Sequence, residues 1–401
     1  MNILFAAAAG AALASAHDQG LPTRASTVDD TLSLRLLTDP SSVLAGAVCL
    51  DGSPAGYYYR SGVGANASRF LVSLVGTGWC TSLLSCEERA RTAIGSSKTW
   101  DTEVSGYGIA NSSAEHNPTF SGWSVAYVNS CDGAFFLGAA PSAVGGLYFR
   151  GRYIVDAVIA DLVRRDGLGR AASVLLTGDS SGGLAAALSV DRVAALLPDV
   201  ADVRALVDGG FFLDRPHNGG DRASLEPIMA LAAVNVSGCG GGWECASLPH
   251  TLPRIARPLL LTQSLYDYAQ LGSDGEDLGC TPPGTANTSS LPECDAEGMA
   301  RFWAFGAAMS AQLAAAVDGA PVQHRGAFGV ACIAHSLTEY GRYLDGGEYL
   351  LLDSPEWEVP ASSGRTVARA VSDWYEGRED ARHIDGGSWP ANRPCAWLGL
   401  P

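Results

Sequence analysis

Apolar residues in this chain fall into short unbroken runs separated by longer stretches with helical spacing. Residues 70–75 (FLVSLV), 123–128 (WSVAYV), 173–177 (SVLLT), 203–207 and 258–262 read as strands. A run that is apolar at successive positions, not only at alternate ones, is that of a strand covered on both faces. Between the runs, residues 154–163 place Ile154, Val158 and Leu162 on one side of a helix. Residues 184–197 are rich in Ala and Leu and stop at Pro198, which predicts another helix. Residues 299–317 predict a long helix and 366–374 a shorter one near the C-terminus. Strands alternating with helices imply an α/β layer fold around a mostly parallel central sheet flanked by helices. There is no internal repeat and no long linker. Stretches 215–256 and 270–296, rich in Gly, Pro, Ser and Thr, are expected to be irregular loops above the sheet, shaping a pocket.

Composition narrows the class. Of 401 residues, 47% are apolar and 17% charged, enough for a sizeable core and too apolar for disorder. The balance of 26 basic against 42 acidic residues gives −16, a field that repels phosphate backbones, so nucleic acid is excluded as the main partner. No stable membrane span is expected beyond the N-terminus, because no later apolar run is long enough. The start, MNILFAAAAGAALASA, is an apolar stretch ending in a small-x-small pattern, although no Lys or Arg precedes it. Residues 1–16 are therefore expected to be a secretory signal, and 17–401 a single catalytic domain. The ten cysteines contain no CxxC pair. Cys80/Cys86 and Cys239/Cys245 each enclose a short loop suited to a local disulfide in an oxidising compartment. Sequons stand at Asn66, Asn111, Asn235 and Asn287. Together these features predict a secreted glycoprotein, most simply a monomer, with neither metal nor organic cofactor.

The strongest chemical signal is Gly178-Asp179-Ser180-Ser181-Gly182-Gly183, placed between the run SVLLT and an Ala-rich helix. That is the strand–turn–helix context of a G-x-S-x-G nucleophile elbow, and it points to an α/β-hydrolase-like fold. Ser180 has glycine two residues before and two after it, whereas Ser181 would have Asp179 at its tight flank. Ser180 is therefore the expected nucleophile, with the Ser181 N–H, at a helix start, an oxyanion donor. A serine hydroxyl needs a base, and in this chain order an acid and then a histidine should follow. Asp267 comes just after the run 258–262, and His335 closes the apolar segment Gly329-Val330-Ala331-Cys332-Ile333-Ala334. Gly76-Thr77-Gly78-Trp79-Cys80, after the first strand-like run, can bring further backbone donors close.

With these motifs the chain resembles the pectin acetylesterase/Notum family of serine esterases, the plant pectin acetylesterases in particular. The resemblance runs from about Leu36 to about Tyr375. It includes Cys49-Leu50-Asp51-Gly52-Ser53-Pro54, the GTGWC loop, Cys131-Asp132-Gly133-Ala134, the elbow and Asp208-Gly209-Gly210-Phe211-Phe212-Leu213-Asp214. Tyr266-Asp267 with Gln270-Leu271, Ala334-His335 and Asp373-Trp374-Tyr375 complete it. It implies Ser180, Asp267 and His335 as the catalytic triad and the backbone of Gly78, Trp79 and Ser181 as the oxyanion hole. It also implies the disulfides Cys49–Cys131, Cys80–Cys86, Cys239–Cys245, Cys280–Cys294 and Cys332–Cys395. The chain departs from the family pattern at Asp179, where a small or uncharged residue is usual, at Ser181, usually Ala, and at Thr77, commonly Gly.

The implied reaction is ester hydrolysis through an acyl-enzyme. The implied substrate is an acetylated polysaccharide, pectin or a related cell-wall polymer. Two alternatives share the fold. One is a Notum-like carboxylesterase that removes a fatty acyl group from a secreted protein. The other is a catalytically silent carbohydrate-binding protein.

Overall fold

The computed structural model describes residues 30–44, 46–115, 117–214, 220–234, 236, 239, 242–273, 280–281, 293–318, 325–338, 358–360, 363–378, 382–386 and 388–389. The apolar runs form the middle of one sheet as β3 (Arg69–Leu74), β5 (Ser124–Val128), β6 (Ser173–Asp179), β7 (Val203–Asp208) and β8 (Leu259–Ser264). β11 (Arg325–Val330) and β12 (Arg382–Ile384) extend it on one side; β2 (Gly56–Arg60), β1 (Thr31–Leu36) and β4 (Glu103–Ser105) extend it on the other. The ten strands lie in the order β12-β11-β8-β7-β6-β3-β5-β2-β1-β4. Neighbours from β12 to β5 are parallel, and the far edge is closed by antiparallel pairs. β9 (Cys280–Thr281) and β10 (Glu293–Cys294) form a separate short hairpin.

The continuous apolar runs follow from burial on both faces. In β6, Val174 and Leu176 join one core with Ile154, Val158, Leu184, Val190 and Phe302. Leu175, between them, joins a second core with Trp123, Val371, Trp374 and Tyr375. β8 divides likewise, Leu259 and Leu261 on one side and Leu260 on the other. Each such side chain contributes roughly 1.5–3 kcal/mol by leaving water. Helices Gly151–Asp166, Ser181–Leu196 and Ala296–Asp318 supply side chains to the first core and Val367–Tyr375 to the second. This is the α/β-hydrolase-like arrangement that the sequence predicts.

Two expectations are corrected. The elbow helix begins at Ser181, not at 184, because Gly182 and Gly183 belong to its first turn. A Cβ on Gly182 would stand 1.8 Å from the Leu74 carbonyl oxygen, so close packing of helix on strand, not a broken helix, requires glycine there. Stretch 215–256 is not wholly irregular: helix Gly220–Leu231 crosses it with Pro227 inside, and Leu225, Ile228 and Met229 are buried. Core burial outweighs the helix-breaking signals there. Residues 1–16, Asn235 and Asn287 lie outside the described residues, while Asn66 and Asn111 are partly exposed.

Three expected disulfides, Cys49–Cys131, Cys80–Cys86 and Cys239–Cys245, are present. Cys294 and Cys332 are disulfide-bonded as well; the Cys280 side chain and Cys395 lie outside the described set. The Cys280 backbone pairs directly across from Cys294 in the β9–β10 hairpin. No helix among the described residues is long and apolar enough to cross a membrane.

The connections reverse direction between β3 and β6: β3 leads outward to β5, and β6 leads the other way through β7 and β8. The crevice outside the carboxyl ends of two such strands is where open α/β sheets bind ligands. The GTGWC loop and the GDSSGG elbow leave the sheet at that point.

Candidate active site

Strand β6 runs to Asp179, and the next residue, Ser180, has φ 53° and ψ −126°. A non-glycine residue in that region is strained, and the surroundings hold it there. The Ser180 N–H donates to the Asp208 carbonyl oxygen at 2.7 Å, and its own carbonyl accepts from Leu184 N–H at 3.1 Å. Gly76 closes the other side: a Cβ there would meet the Asp179 carbonyl oxygen at 2.1 Å and Ser180 Cβ at 2.8 Å. Ser180 is thus gripped between β3 and β7 and presented at the start of a helix.

Asp267 and His335 come together as expected. His335 Nδ1 lies 2.9 Å from both Asp267 carboxylate oxygens, and the carboxylate is fully buried. Asp267 receives four further hydrogen bonds. The backbone N–H groups of Ala269 (2.9 Å) and Gln270 (3.3 Å) donate to Oδ1. The side-chain amides of Gln263 (2.8 Å) and Gln270 (3.1 Å) donate to Oδ2. These partners hold the carboxylate aimed at the ring. The edge of Tyr268 meets the His335 ring at 5.7 Å between centroids.

Asp208 builds the bridge between serine and histidine. Its carbonyl holds Ser180, and its buried carboxylate accepts the N–H groups of Leu337 and Thr338 and the hydroxyls of Thr338 and Thr262. The loop carrying His335 is therefore pinned to the end of β7, whose last residue also holds Ser180. Gly209 lies against His335, where an added Cβ would be 2.7 Å from the His335 carbonyl oxygen and 3.5 Å from Nδ1. Ser264 completes the clamp, its hydroxyl donating to Cys332 O and accepting from Ala334 N–H. Among the described contacts the Ser180 hydroxyl and the His335 ring are not hydrogen-bonded; in ligand-free sites such bonds commonly tighten only with substrate bound.

Three carboxylates surround the imidazole. Burial alone would lower the His335 pKa, but Asp267, Asp179 and Asp208 outweigh it and raise the value above that of a free histidine. Burial also raises Asp208. Asp179 is pushed up to about 7, by burial first and by Asp208 second, against the opposing pull of Gly76 N–H and His335.

The glycine-rich loop after β3 reaches the elbow. Gly78 has φ +66°, a conformation that favours glycine. Trp79 pairs across an isolated bridge with Ala134 and meets the edges of Phe135 and Phe212 at 5.7 and 5.2 Å. Phe135 and Phe136 both have positive φ, a turn supported by the buried Asp132 carboxylate, which accepts Phe136 and Gly138 N–H. Ser181 opens the helix, where the first N–H groups lack intrahelical acceptors. Gly76 and Thr77 of the glycine-rich loop meet the residues on either side of Ser180, and Gly78 and Trp79 follow them in the chain. Gln263, Gln270, Asp208, Ser264 and Asp132 were not singled out for the site from sequence. Gln270, Asp208 and Asp132 stand inside motifs of the family resemblance, which is the one signal that marked them.

A strained serine at a strand–helix turn, a buried Asp–His pair and a glycine-rich loop at the switch point of a parallel sheet define the layout of an α/β-hydrolase-type ester hydrolase. The family model for Pectinacetylesterase matches residues 26–396, and the chain belongs to that family of carboxylic ester hydrolases. Pectin acetylesterase 5 of Arabidopsis thaliana is 32% identical over 364 residues, covering 87% of this chain and 82% of the relative. Pectin acetylesterase 4 of the same plant is 28% identical over 388 residues, covering 92% and 90%. The palmitoleoyl-protein carboxylesterase NOTUM of Mus musculus is 32% identical over 285 residues, covering 65% of this chain and 55% of its own length.

Proposed function

We propose that this protein is a secreted serine esterase that removes O-acetyl groups from pectin or a related cell-wall polysaccharide. Ser180 Oγ attacks the ester carbonyl while His335 Nε2 takes its proton. Asp267 holds the ring tautomer through Nδ1 and stabilises the imidazolium. The N–H groups of Gly78, Trp79 and Ser181 receive the oxyanion. His335 then protonates the leaving sugar hydroxyl, and water enters by the same route to release acetate. The observation that carries this reading is the buried, multiply hydrogen-bonded Asp267–His335 pair, whose histidine loop is pinned to Asp208, the residue whose carbonyl also holds Ser180. The family and the pectin acetylesterase activity that names its plant relatives support the substrate.

The test is acetate release from acetylated pectin, with and without Ser180→Ala. Loss of release together with retained folding supports the reading, and retained release in that variant overturns it. The identity to the mouse carboxylesterase favours a second reading, removal of a long acyl chain from a protein. Nitrophenyl esters of increasing chain length separate the two: a maximum at acetate fits the polysaccharide substrate, and one at long chains fits the protein.

A further inference from the structure

The two residues that flank Ser180 in the chain each hold one N–H of the loop after β3. Gly76 N–H donates to Asp179 Oδ1 at 2.6 Å, and Thr77 N–H donates to Ser181 Oγ at 3.1 Å. The next two residues are Gly78 and Trp79. From the opposite side the buried Arg89 donates through Nη2 to the carbonyl of Thr77, to Thr77 Oγ1 and to Gly78 O at 3.4 Å. Asp179, Ser181 and Arg89 are all below one-tenth exposed, so no water competes freely for these bonds. The capping box at Ser82 and Ser85 and the Cys80–Cys86 disulfide fix the segment that carries Arg89.

We propose that Asp179 and Ser181 are positioning residues that set the oxyanion hole by clamping Gly76 and Thr77 to the elbow. The proposal rests on the esterase reading above and adds a source for its geometry. The nucleophile and its oxyanion donors keep a fixed separation because the nucleophile's own neighbours bind the donor loop. Above about pH 7, where Asp179 is ionised, its carboxylate makes the stronger, charge-assisted bond to Gly76 N–H. The hydroxyl acceptor for Thr77 adds a second, neutral one.

Asp179 also bears on the base. The groups that face it are Asp208 on β7, His335 on the loop after β11 and Gly76 N–H on the loop after β3. Removing its charge takes one of the three anions from around His335. The histidine then loses its proton at lower pH, and activity persists further into the acid range.

The experiment uses the full chain with 4-nitrophenyl acetate and four variants: Asp179→Ala, Asp179→Asn, Ser181→Ala and Ser180→Ala. Asp179→Ala is expected to lower kcat by about 100-fold with little change in KM, because the oxyanion donors act in the transition state. Asp179→Asn keeps an oxygen acceptor for Gly76 N–H. It should recover at least about tenfold of that loss and shift the acid limb of kcat/KM to lower pH. Ser181→Ala removes only a neutral bond and should lower kcat by about 3- to 10-fold. The rate of labelling by a fluorophosphonate, whose phosphoryl oxygen uses the same donors, should fall in step with kcat. Wild-type kcat in Asp179→Ala, a loss confined to KM, or Asn failing as badly as Ala would overturn the clamp. Should Asp179→Ala not fold, as read by its thermal transition, Ser181→Ala decides by the same criteria. If Ser180→Ala still turns over, the esterase reading itself fails; if Ser180→Ala is inactive while the flanking variants keep wild-type kcat, only the clamp does.

Discussion

In the proposed mechanism His335 is the base, and its neighbours tune it. Asp267 touches its ring, and Asp179 and Asp208 add negative charge from β6 and β7. A base must be neutral to take the Ser180 proton, and a raised pKa keeps it protonated to higher pH. The acid limb of kcat/KM for an uncharged acetyl ester is therefore expected above the ordinary histidine value. A pH–rate profile in which that limb falls at or below the value of a free imidazole would contradict the charge arrangement. Asp267→Asn is the complementary change. It leaves a ring partner of the same shape but favours the wrong tautomer, so kcat should drop by roughly 10³–10⁴-fold while the thermal transition moves little. Steady-state kinetics beside a melting curve checks both halves of that expectation. Of this cluster, Ser180, Asp267 and His335 were legible because Ser180 and Asp267 follow apolar strands, His335 closes a short apolar segment, and the three stand in the required chain order. Gln263 and Ser264 were not legible: each lies inside or at the end of a buried run, where sequence marks only a strand. Their role arises from which loop the fold sets opposite them. Asp179, Ser181 and Thr77 are the three departures from the family pattern noted in the sequence, and they meet: the side chains of Asp179 and Ser181 accept the N–H groups of Gly76 and Thr77.

At the scale of elements, the site depends on how closely the elbow helix and β3 approach. Gly76, Gly178, Gly182 and Gly183 line the approach, each with backbone inside 3 Å of where a Cβ would be. Gly182→Ala would drive its methyl to 1.8 Å from Leu74 O, so strand and helix must part, at a cost of about 2 kcal/mol or more. Urea unfolding should show a lowered midpoint, and kcat should fall with it, since the same shift opens the oxyanion loop. A variant with unchanged midpoint and turnover would mean that the helix slides without consequence. The buried strands were readable because both faces are covered. β1, β2, β4 and β12 were not read: β4 and β12 are short edge strands, β1 alternates, and β2 is three tyrosines between Gly and Arg, so none shows a continuous aliphatic run. β11 escaped for another reason: its sequence RGAFGV contains two glycines and a buried arginine, which break the apolar run. Helix Gly220–Leu231 was hidden by its proline and by the glycines and asparagine before it.

For the whole molecule, covalent links and net charge set different limits. Cys49–Cys131 closes a span of 82 residues and ties the segment before β2 to the loop after β5, whereas Cys80–Cys86 closes only 6. By chain entropy the long link is worth about 4–5 kcal/mol and the short one about 2 kcal/mol. Replacing each pair by serine should reproduce that order in unfolding free energy. Replacing Cys80 and Cys86 should also reduce kcat, because that link steadies the segment holding Arg89. The charge of −16 acts at longer range. A polymer rich in free uronate carboxylates is an anion, and at low ionic strength two anions repel over about 30 Å, falling to about 10 Å near 0.1 M. Added salt should therefore lower KM several-fold for demethylated, acetylated pectin. It should leave KM for fully methyl-esterified pectin, and for a small neutral acetyl ester, nearly unchanged. Equal salt dependence for all three would place the effect in the chemistry at Ser180. No salt dependence for the demethylated polymer would mean that the charge lining the mouth of the site, and not the charge of the whole surface, governs how the chain approaches.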